Sequence, residues 1–135
     1  MSMVSSEFNI RVLYAHTDKM GVVSNTRYLE YFEIGRVELL RQLGYSYKEM
    51  EDDKIALPLI EAYCKYISPA YYDELLTIKA YLKQKPTVRI KIDYELFSGN
   101  RLVAAGHTMH SFVNLENLKP VRPAQKLLKL LIGKL

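Results

Sequence analysis

The chain opens with alternating apolar and polar residues, which is the pattern of a half-buried β-strand. In EFNIRVLYA (7–15), every second residue is apolar from Phe8 to Tyr14. The stretch LLTIKAYLK (75–83) alternates in the same way. In VRIKIDYELF (88–97), apolar residues alternate with charged ones, which is typical of an antiparallel strand with one solvated face. These patterns predict three strands of a sheet.

From residue 26 the apolar spacing changes to that of an amphipathic helix of about 17 residues. Its apolar face comprises Tyr28, Leu29, Phe32, Gly35, Leu39, Leu40 and Leu43. Gly44 follows this face and favours a left-handed helix end. Gly35 lies within the face, where glycine costs about 1 kcal/mol relative to alanine. We therefore expect another backbone or a sheet to approach the helix closely at Gly35.

The rest of the chain favours strands over helices. SYKEMEDD (46–53) predicts one short helical turn, and IALPLIEAYCKYI (55–67) is rich in strand-forming residues. Pro58 cannot donate to a sheet ladder, so it indicates an edge strand or a bulge. A Ser-Gly-Asn turn leads into a last strand over 101–115, and 123–135 predicts a short basic helix. The order of strand, long helix and four strands predicts an α+β fold, with the helix packed on one antiparallel sheet.

The composition is that of one soluble globular domain covering residues 1–135. Cys64 is the sole cysteine, so no intrachain disulfide is possible, and we expect it to be a small core residue rather than a nucleophile. No Cys/His spacing resembles a zinc site, and we expect no metal. The chain has no run of about 18 apolar residues and no secretion-signal pattern, which predicts a cytoplasmic protein without membrane insertion.

The formal net charge of +4 is modest for a nucleic-acid-binding protein. Basic residues cluster in LKQKPTVRIK (82–91) and again in 118–135. Neither cluster is interleaved with aromatic residues in an evident patch, which disfavours a nucleic-acid partner. Each cluster is either a site for an anionic ligand or a solvated face of the protein.

One motif joins the first strand to the helix, in YAHTDKMGVVSNTRYLEYFE (14–33). It resembles the motif of the 4-hydroxybenzoyl-CoA thioesterase family, Tyr-x-Asp-Thr-Asp-x-x-Gly-Val-Val-x-His/Asn-x-x-Tyr followed by Phe-Glu. The Tol-Pal-associated acyl-CoA thioesterases are similar too, and the order of the later strands also fits this family. The resemblance implies a hot-dog fold, in which an antiparallel sheet wraps around a long central helix. It also implies hydrolysis of an aliphatic or aromatic acyl-CoA, with no cofactor beyond the coenzyme A of the substrate.

The second acidic position of the family motif is Asp18 here, and the resemblance implies that it is the catalytic carboxylate. In the family this residue acts either as the nucleophile, through a mixed anhydride, or as the general base toward water. A thioester carbonyl gains negative charge on its oxygen when it is attacked, and free N–H groups at a helix N-terminus stabilise such charge. We expect the amides from Val23 to Asn25 to do so, and Gly21 to let the backbone approach the substrate.

Two of these residues have simpler interpretations. Asp18 is also a suitable turn or capping residue, and Asn25 a suitable N-cap, although relatives have His or Asn there to orient the water or the carboxylate.

His16 replaces the first acid of the family motif. It either pairs with Asp18 and lowers the pKa of Asp18, or acts as a pH-sensitive gate to the site, or is a substitution at a structural position. We favour the structural interpretation. His107 and His110 lie on opposite faces of a late strand, and we expect both to be structural.

Coenzyme A requires cations for its phosphates. The positions that match those used by relatives are Lys83, Lys85, Lys119 and Arg122, and Thr87 is a further candidate for contact with the pantetheine arm. Relatives form dimers, commonly assembled into tetramers, with sites between subunits, so we expect a homodimer or homotetramer. The basic residues near the end of the sequence would also suit an acidic acyl carrier protein as the acyl donor. The alternative to a thioesterase is a noncatalytic acyl-CoA-binding or regulatory hot-dog module.

Overall fold

A computed structural model describes residues 3–135 of the chain. It contains three α-helices and seven strands. The helices are α1 (Tyr28–Leu43), α2 (Tyr47–Asp52) and α3 (Gln125–Leu131). The strands are β1 (Val4–Arg11), β2 (Ile55–Ala56), β3 (Leu59–Tyr66), β4 (Leu75–Leu82), β5 (Arg89–Ser98), β6 (Arg101–Ser111) and β7 (Val113–Asn114). Among these residues no helix is long and apolar enough to cross a membrane.

Five strands form one antiparallel sheet in the order β1-β4-β5-β6-β3, and β2 pairs with β7 in a second, two-stranded sheet. Helix α1 packs across the first sheet, with seven of its residues buried. This is the predicted α+β arrangement of a central helix and an antiparallel sheet, the hot-dog fold. Strands β1 and β3 are the two edges of the five-stranded sheet.

The close approach predicted at Gly35 is confirmed. A Cβ atom added there would lie 2.6 Å from Cγ2 of Ile78 in β4, which is closer than real Cβ contacts occur. One turn earlier, the Phe32 ring stacks on Tyr94 of β5 with centroids 4.5 Å apart. Gly44 ends the helix with a φ of 113°, in the left-handed region, as the sequence predicted. The helix therefore touches the sheet with its own backbone at the centre of the contact.

The structure corrects several predicted boundaries. The first strand ends at Arg11, and Tyr14 lies in a 3-10 turn with 74% of its surface exposed, because the chain turns away from the sheet after Val12. Leu29 is exposed on α1, and Tyr31 is buried in its place. The predicted strand 55–67 is interrupted before β3, at the proline that cannot donate to a ladder. The last predicted strand is likewise divided into β6 and β7, and the last helix is shorter than predicted.

A buried polar network connects α1 with β6 through the core. His110 is fully buried; its Nδ1 lies 3.1 Å from the Leu57 carbonyl, so this nitrogen donates, and Nε2 accepts from the Thr108 hydroxyl at 2.9 Å. The Thr108 oxygen then accepts from the Tyr94 hydroxyl at 2.5 Å. Arg36 donates to the Tyr94 oxygen at 3.3 Å. Burial, together with the nearby Arg36 charge, lowers the pKa of His110 to about 4, so the ring stays neutral at pH 7.

We predict that alanine at Gly35 lowers the free energy of unfolding by about 1–3 kcal/mol, because its methyl group overlaps the stiff, β-branched Ile78. Helix propensity alone would instead raise stability by about 1 kcal/mol. The sign of the change in the free energy of unfolding, measured by urea unfolding, therefore shows whether overlap or helix propensity is the larger effect. Ile78→Leu removes the methyl group on Cβ, so the double variant should recover part of the loss. Stabilisation by Gly35→Ala alone would contradict the close contact.

We also predict that His110 makes the folded state sensitive to acid. Its folded-state pKa lies below the value of about 6.5 in an unfolded chain, so the unfolded state binds the proton more tightly. The free energy of unfolding should fall as the pH drops from about 6.5 to about 4, by roughly 3 kcal/mol in all. His110→Gln should remove this slope in urea unfolding curves. His107→Gln is the matched control and should retain it, because His107 lies on the other face of β6, beside Glu61.

Candidate active site

Asp18 lies at the start of a tight turn between β1 and α1. Its N–H donates to the Val22 carbonyl at 2.9 Å, and its own carbonyl accepts the N–H of Gly21 at 3.0 Å. Gly21 has a φ of 79°, which accounts for glycine at this position. Apart from Met20, Gly21 and Val22, no atom of the described residues lies within 4 Å of where a Gly21 Cβ would be, so a close approach between protein segments does not require this glycine. Two backbone hydrogen bonds thus close the turn.

The Asp18 carboxylate is exposed, and only one of its oxygens is engaged. Oδ1 accepts the N–H of Met20 at 2.8 Å, which is the turn role foreseen for this residue. Oδ2 has no hydrogen-bond partner within residues 3–135. The local contact therefore orients the carboxylate while leaving an oxygen available to a ligand.

A groove of about 530 Å³ lies beside this carboxylate. We call it the Asp18 groove, and it is lined by Asp18, Met20, Val22, Val23, Asn25, Tyr28, Tyr66, Ile67, Ser68 and Pro69. Asp18 is the one charged residue in this lining. Of the predicted site residues, the groove brings together Asp18, Val23 and Asn25. Gly21 does not line it.

The second wall of the groove, from Tyr66 to Pro69, was missed by the sequence analysis. The Tyr66 ring meets the Tyr28 ring edge to face, with centroids 4.9 Å apart. The Tyr66 hydroxyl donates to the Asn25 carbonyl at 3.2 Å. In the sequence this stretch shows only the turn around Ser68 and Pro69. Its position depends on the pairing of β3 with β6, which a local pattern does not reveal.

The start of the helix supplies fewer free amides than predicted. The N–H of Val23 donates to the Ala70 carbonyl at 2.8 Å, and the N–H of Ser24 donates to the His16 carbonyl at 2.9 Å. Neither amide is available to a substrate, so the expectation for the Val23 amide is wrong. The N–H groups of Asn25 and Thr26 open the 3-10 turn that leads into α1, and within the described residues they have no acceptor. Of the two residues, Asn25 lines the Asp18 groove, so its amide is the candidate for stabilising an oxyanion.

Asn25 does not cap the helix. Ser24 occupies the N-cap position of the 3-10 turn, and Asn25 is the first residue inside that turn. The predicted N-cap role of Asn25 is therefore wrong. The residue still lines the groove beside Asp18, so its amide side chain remains a candidate for contact with a ligand.

His16 is held away from Asp18 by other partners. Its Nδ1 lies 2.9 Å from the Tyr31 hydroxyl and accepts the N–H of Leu13 at 3.3 Å. Because Nδ1 already accepts from a backbone amide, the Tyr31 hydroxyl must donate to it and Nε2 carries the proton. Burial raises the pKa of Tyr31 to about 12, so this hydroxyl keeps its proton at neutral pH. These contacts support the structural interpretation of His16, and the pairing with Asp18 is not observed.

Cys64 also behaves as a packing residue. The hydrophobic core consists of two clusters of buried residues, one around Phe32 and one around Tyr31. The half-buried side chain of Cys64 packs against both clusters. Burial raises the pKa of its thiol, which favours the unreactive protonated form. Among the described residues, no group of three or more His, Cys, Asp or Glu side chains is arranged to hold a metal ion.

The predicted coenzyme A cations lie outside the Asp18 groove. Lys119 and Arg122 are exposed in the segment between β7 and α3. Thr87 lies in the loop between β4 and β5, where it lines a small cavity with Lys85. A separate groove of about 510 Å³, which we call the basic groove, lies between this loop and α3. It is lined by Lys83, Lys85, Gln125, Leu128, Lys129, Leu131, Ile132, Gly133 and Leu135.

Comparison with known proteins agrees with this architecture. The family model described as the thioesterase-like superfamily matches residues 12–131. A putative esterase of Aquifex aeolicus is 33% identical over 103 residues, which cover 76% of this chain and 80% of that protein. The putative acyl-CoA thioesterase YneP of Bacillus subtilis is 28% identical over 118 residues, covering 87% of this chain and 86% of the relative.

A solved structure extends the similarity to three dimensions. The crystal structure of a DHNA-CoA thioesterase from Staphylococcus aureus superimposes with a TM-score of 0.84 at 30% identity, covering 87% of this chain and 80% of that one. Since the family model covers most of the chain, including the Asp18 turn and α1, the protein belongs to the thioesterase-like superfamily.

Proposed function

We propose that the protein hydrolyses an acyl-CoA thioester to a free acid and coenzyme A, with Asp18 as the catalytic carboxylate. The chain is a thioester hydrolase, as its similarity to the putative acyl-CoA thioesterase YneP of Bacillus subtilis and the DHNA-CoA thioesterase of Staphylococcus aureus supports. The observation that carries the assignment of Asp18 is its place in the groove. It is the single charged residue of that lining, and one of its oxygens is free.

Two routes are open to this carboxylate. In the first, its free oxygen attacks the thioester carbonyl, the C–S bond breaks, and water then hydrolyses the mixed anhydride. In the second, the carboxylate takes a proton from water, the hydroxide attacks the carbonyl, and the thiolate leaves and is protonated. Both routes consume one water and release acid and thiol. In both, the amide of Asn25 would stabilise the oxyanion.

The lining of the Asp18 groove is suited to a substrate with an apolar or aromatic acyl group. Apart from Asp18 it consists of neutral residues, with tyrosine rings and aliphatic side chains prominent among them. No lysine or arginine lines it to neutralise phosphates. The nucleotide end of coenzyme A would therefore contact cations elsewhere, for which Lys83, Lys85, Lys119 and Arg122 remain our candidates. Thr87 remains a candidate for the pantetheine arm.

We further propose that two copies of the chain associate along β3. This edge strand pairs with β6 on one side only, and five large apolar side chains on or directly after it are exposed. They are Leu59, Ile60, Tyr63, Tyr66 and Ile67. An edge strand with exposed apolar side chains along its length favours pairing with another chain. Because Tyr66 also lines the Asp18 groove, such a partner would lie next to the groove.

Asp18→Asn should reduce thioester hydrolysis at least about 100-fold, because an amide cannot act as a base or a nucleophile in this reaction. The substituted side chain can still accept the N–H of Met20, so the melting temperature should change little. The assay is release of free thiol from a panel of acyl-CoAs, with circular dichroism to check the fold. Asp73→Asn is the control, because Asp73 is an exposed turn residue with a φ of 70°, which asparagine tolerates.

Two outcomes would contradict this assignment. Full activity in Asp18→Asn would show that another group performs the chemistry. If the wild-type protein released no thiol from any acyl-CoA, yet acyl-CoAs raised its melting temperature, the protein would be a binding module and not an enzyme.

The β3 proposal predicts that the protein sediments as a dimer or a larger assembly. Ile60→Lys places a charge on the exposed edge and should shift the protein toward monomer in analytical ultracentrifugation. Leu118→Lys is the matched control, because Leu118 is equally apolar, 68% exposed and outside β3. It should leave the assembly unchanged. A wild-type monomer at high concentration would exclude the interface.

A further inference from the structure

The two basic stretches of the sequence meet on one surface, at the basic groove. Lys83 and Lys85 come from the loop after β4, and Lys129 comes from α3. No aspartate or glutamate lines this groove. Lys83 lies 4.0 Å from Asp93 at the edge of the surface, and its side chain is half exposed, so this pair neutralises it only weakly. The groove therefore carries a net positive charge.

Exposed aliphatic side chains lie among these lysines. Ile132 has 78% of its surface exposed and Leu135 has 37%, and both line the basic groove. Leu127 and Leu131 are buried in the core and fix α3 in place. The apolar side chains are thus presented on a firmly packed support. Exposed aliphatic carbon gains free energy when it leaves water, and lysine stems can extend across such a surface.

We propose that the basic groove and Ile132 form a surface that binds the face of an anionic lipid bilayer. The lysine ammonium groups would contact phosphate headgroups, and the aliphatic side chains would enter the boundary between headgroups and acyl chains. The protein would rest on the bilayer without crossing it. The surface is separate from the Asp18 groove, and it includes Lys83 and Lys85, which are also our candidates for the nucleotide end of coenzyme A.

The chemistry of the groove favours lipid over an acidic protein. Its cations are all lysines, which act as compact point charges and suit a fluid array of phosphates. The groove contains no arginine, so it lacks the planar fork that binds a fixed carboxylate or phosphate through two hydrogen bonds. The combination of one sign of charge with protruding aliphatic carbon is the pattern of interfacial binding.

The test is co-sedimentation of the full chain with vesicles made of equal parts phosphatidylcholine and phosphatidylglycerol. Vesicles of phosphatidylcholine alone are the first control. Each lysine near an anionic surface strengthens binding about fivefold, so Lys129→Glu should weaken it at least about tenfold. Ile132→Asp should have an effect of similar size. The matched controls are Lys48→Glu and Leu118→Asp, exposed residues outside the groove, which should change binding less than about twofold.

Binding that requires the anionic lipid, weakens as added salt shortens the Debye length, and is lost in Lys129→Glu and Ile132→Asp would support the proposal. Absence of binding to anionic vesicles at low salt would overturn it. Equal loss in the groove variants and their controls would also overturn it. If the groove bound polyglutamate but not vesicles, the surface would belong to an acidic protein partner and the lipid proposal would fail. Unchanged circular dichroism and melting temperature would show that every variant is folded.

Discussion

Helix α1 touches the sheet with its backbone, because Gly35 places no side chain between the helix and Ile78 of β4. On either side of this contact larger residues fill the widening space, with Phe32 stacked on Tyr94 one turn earlier and Leu39 buried one turn later. Packing of this kind leaves the helix no freedom to slide or rise, since any shift would open cavities or create overlaps. The position of the helix start is therefore fixed by the core.

The position of the Asp18 turn depends on that fixed helix start. Val23 is tied to Ala70 by its amide, and the Tyr31 hydroxyl on α1 donates to His16 just before the turn. The turn is exposed, yet both of its ends are anchored to buried structure. An exposed carboxylate on an anchored turn is held in position for a ligand, whereas one on a free loop would lose entropy each time it was ordered. Core packing and the candidate chemistry are thus linked through a few hydrogen bonds.

The features that the sequence predicted correctly are those with a local cause. The period of apolar residues located α1, and the cost of glycine in a helix identified Gly35 and Gly44. The alternation of apolar and charged residues located β4 and β5 within a residue. The strand around Tyr14 was placed too late, because a 3-10 turn can continue an alternating pattern without being part of a sheet. Local patterns could not show which N–H groups before the helix are hydrogen-bonded. Their acceptors are the carbonyls of Ala70 and His16, which lie beside them only in the folded chain.

The absence of cations from the lining of the Asp18 groove bears on the exposed edge at β3. Under the proposed function, the phosphates of coenzyme A need a basic surface at the nucleotide end, while the thioester must reach Asp18. A protomer whose groove supplies only the reacting end must meet the phosphates outside that groove, on its own surface or on that of another copy. Strand β3 runs from the groove at Tyr66 to Leu59, with its apolar side chains exposed along this length. Under the proposed function, association of two copies along β3 would cover the exposed edge strand. It would also place the second copy next to the substrate site, so one interface would serve both stability and substrate binding.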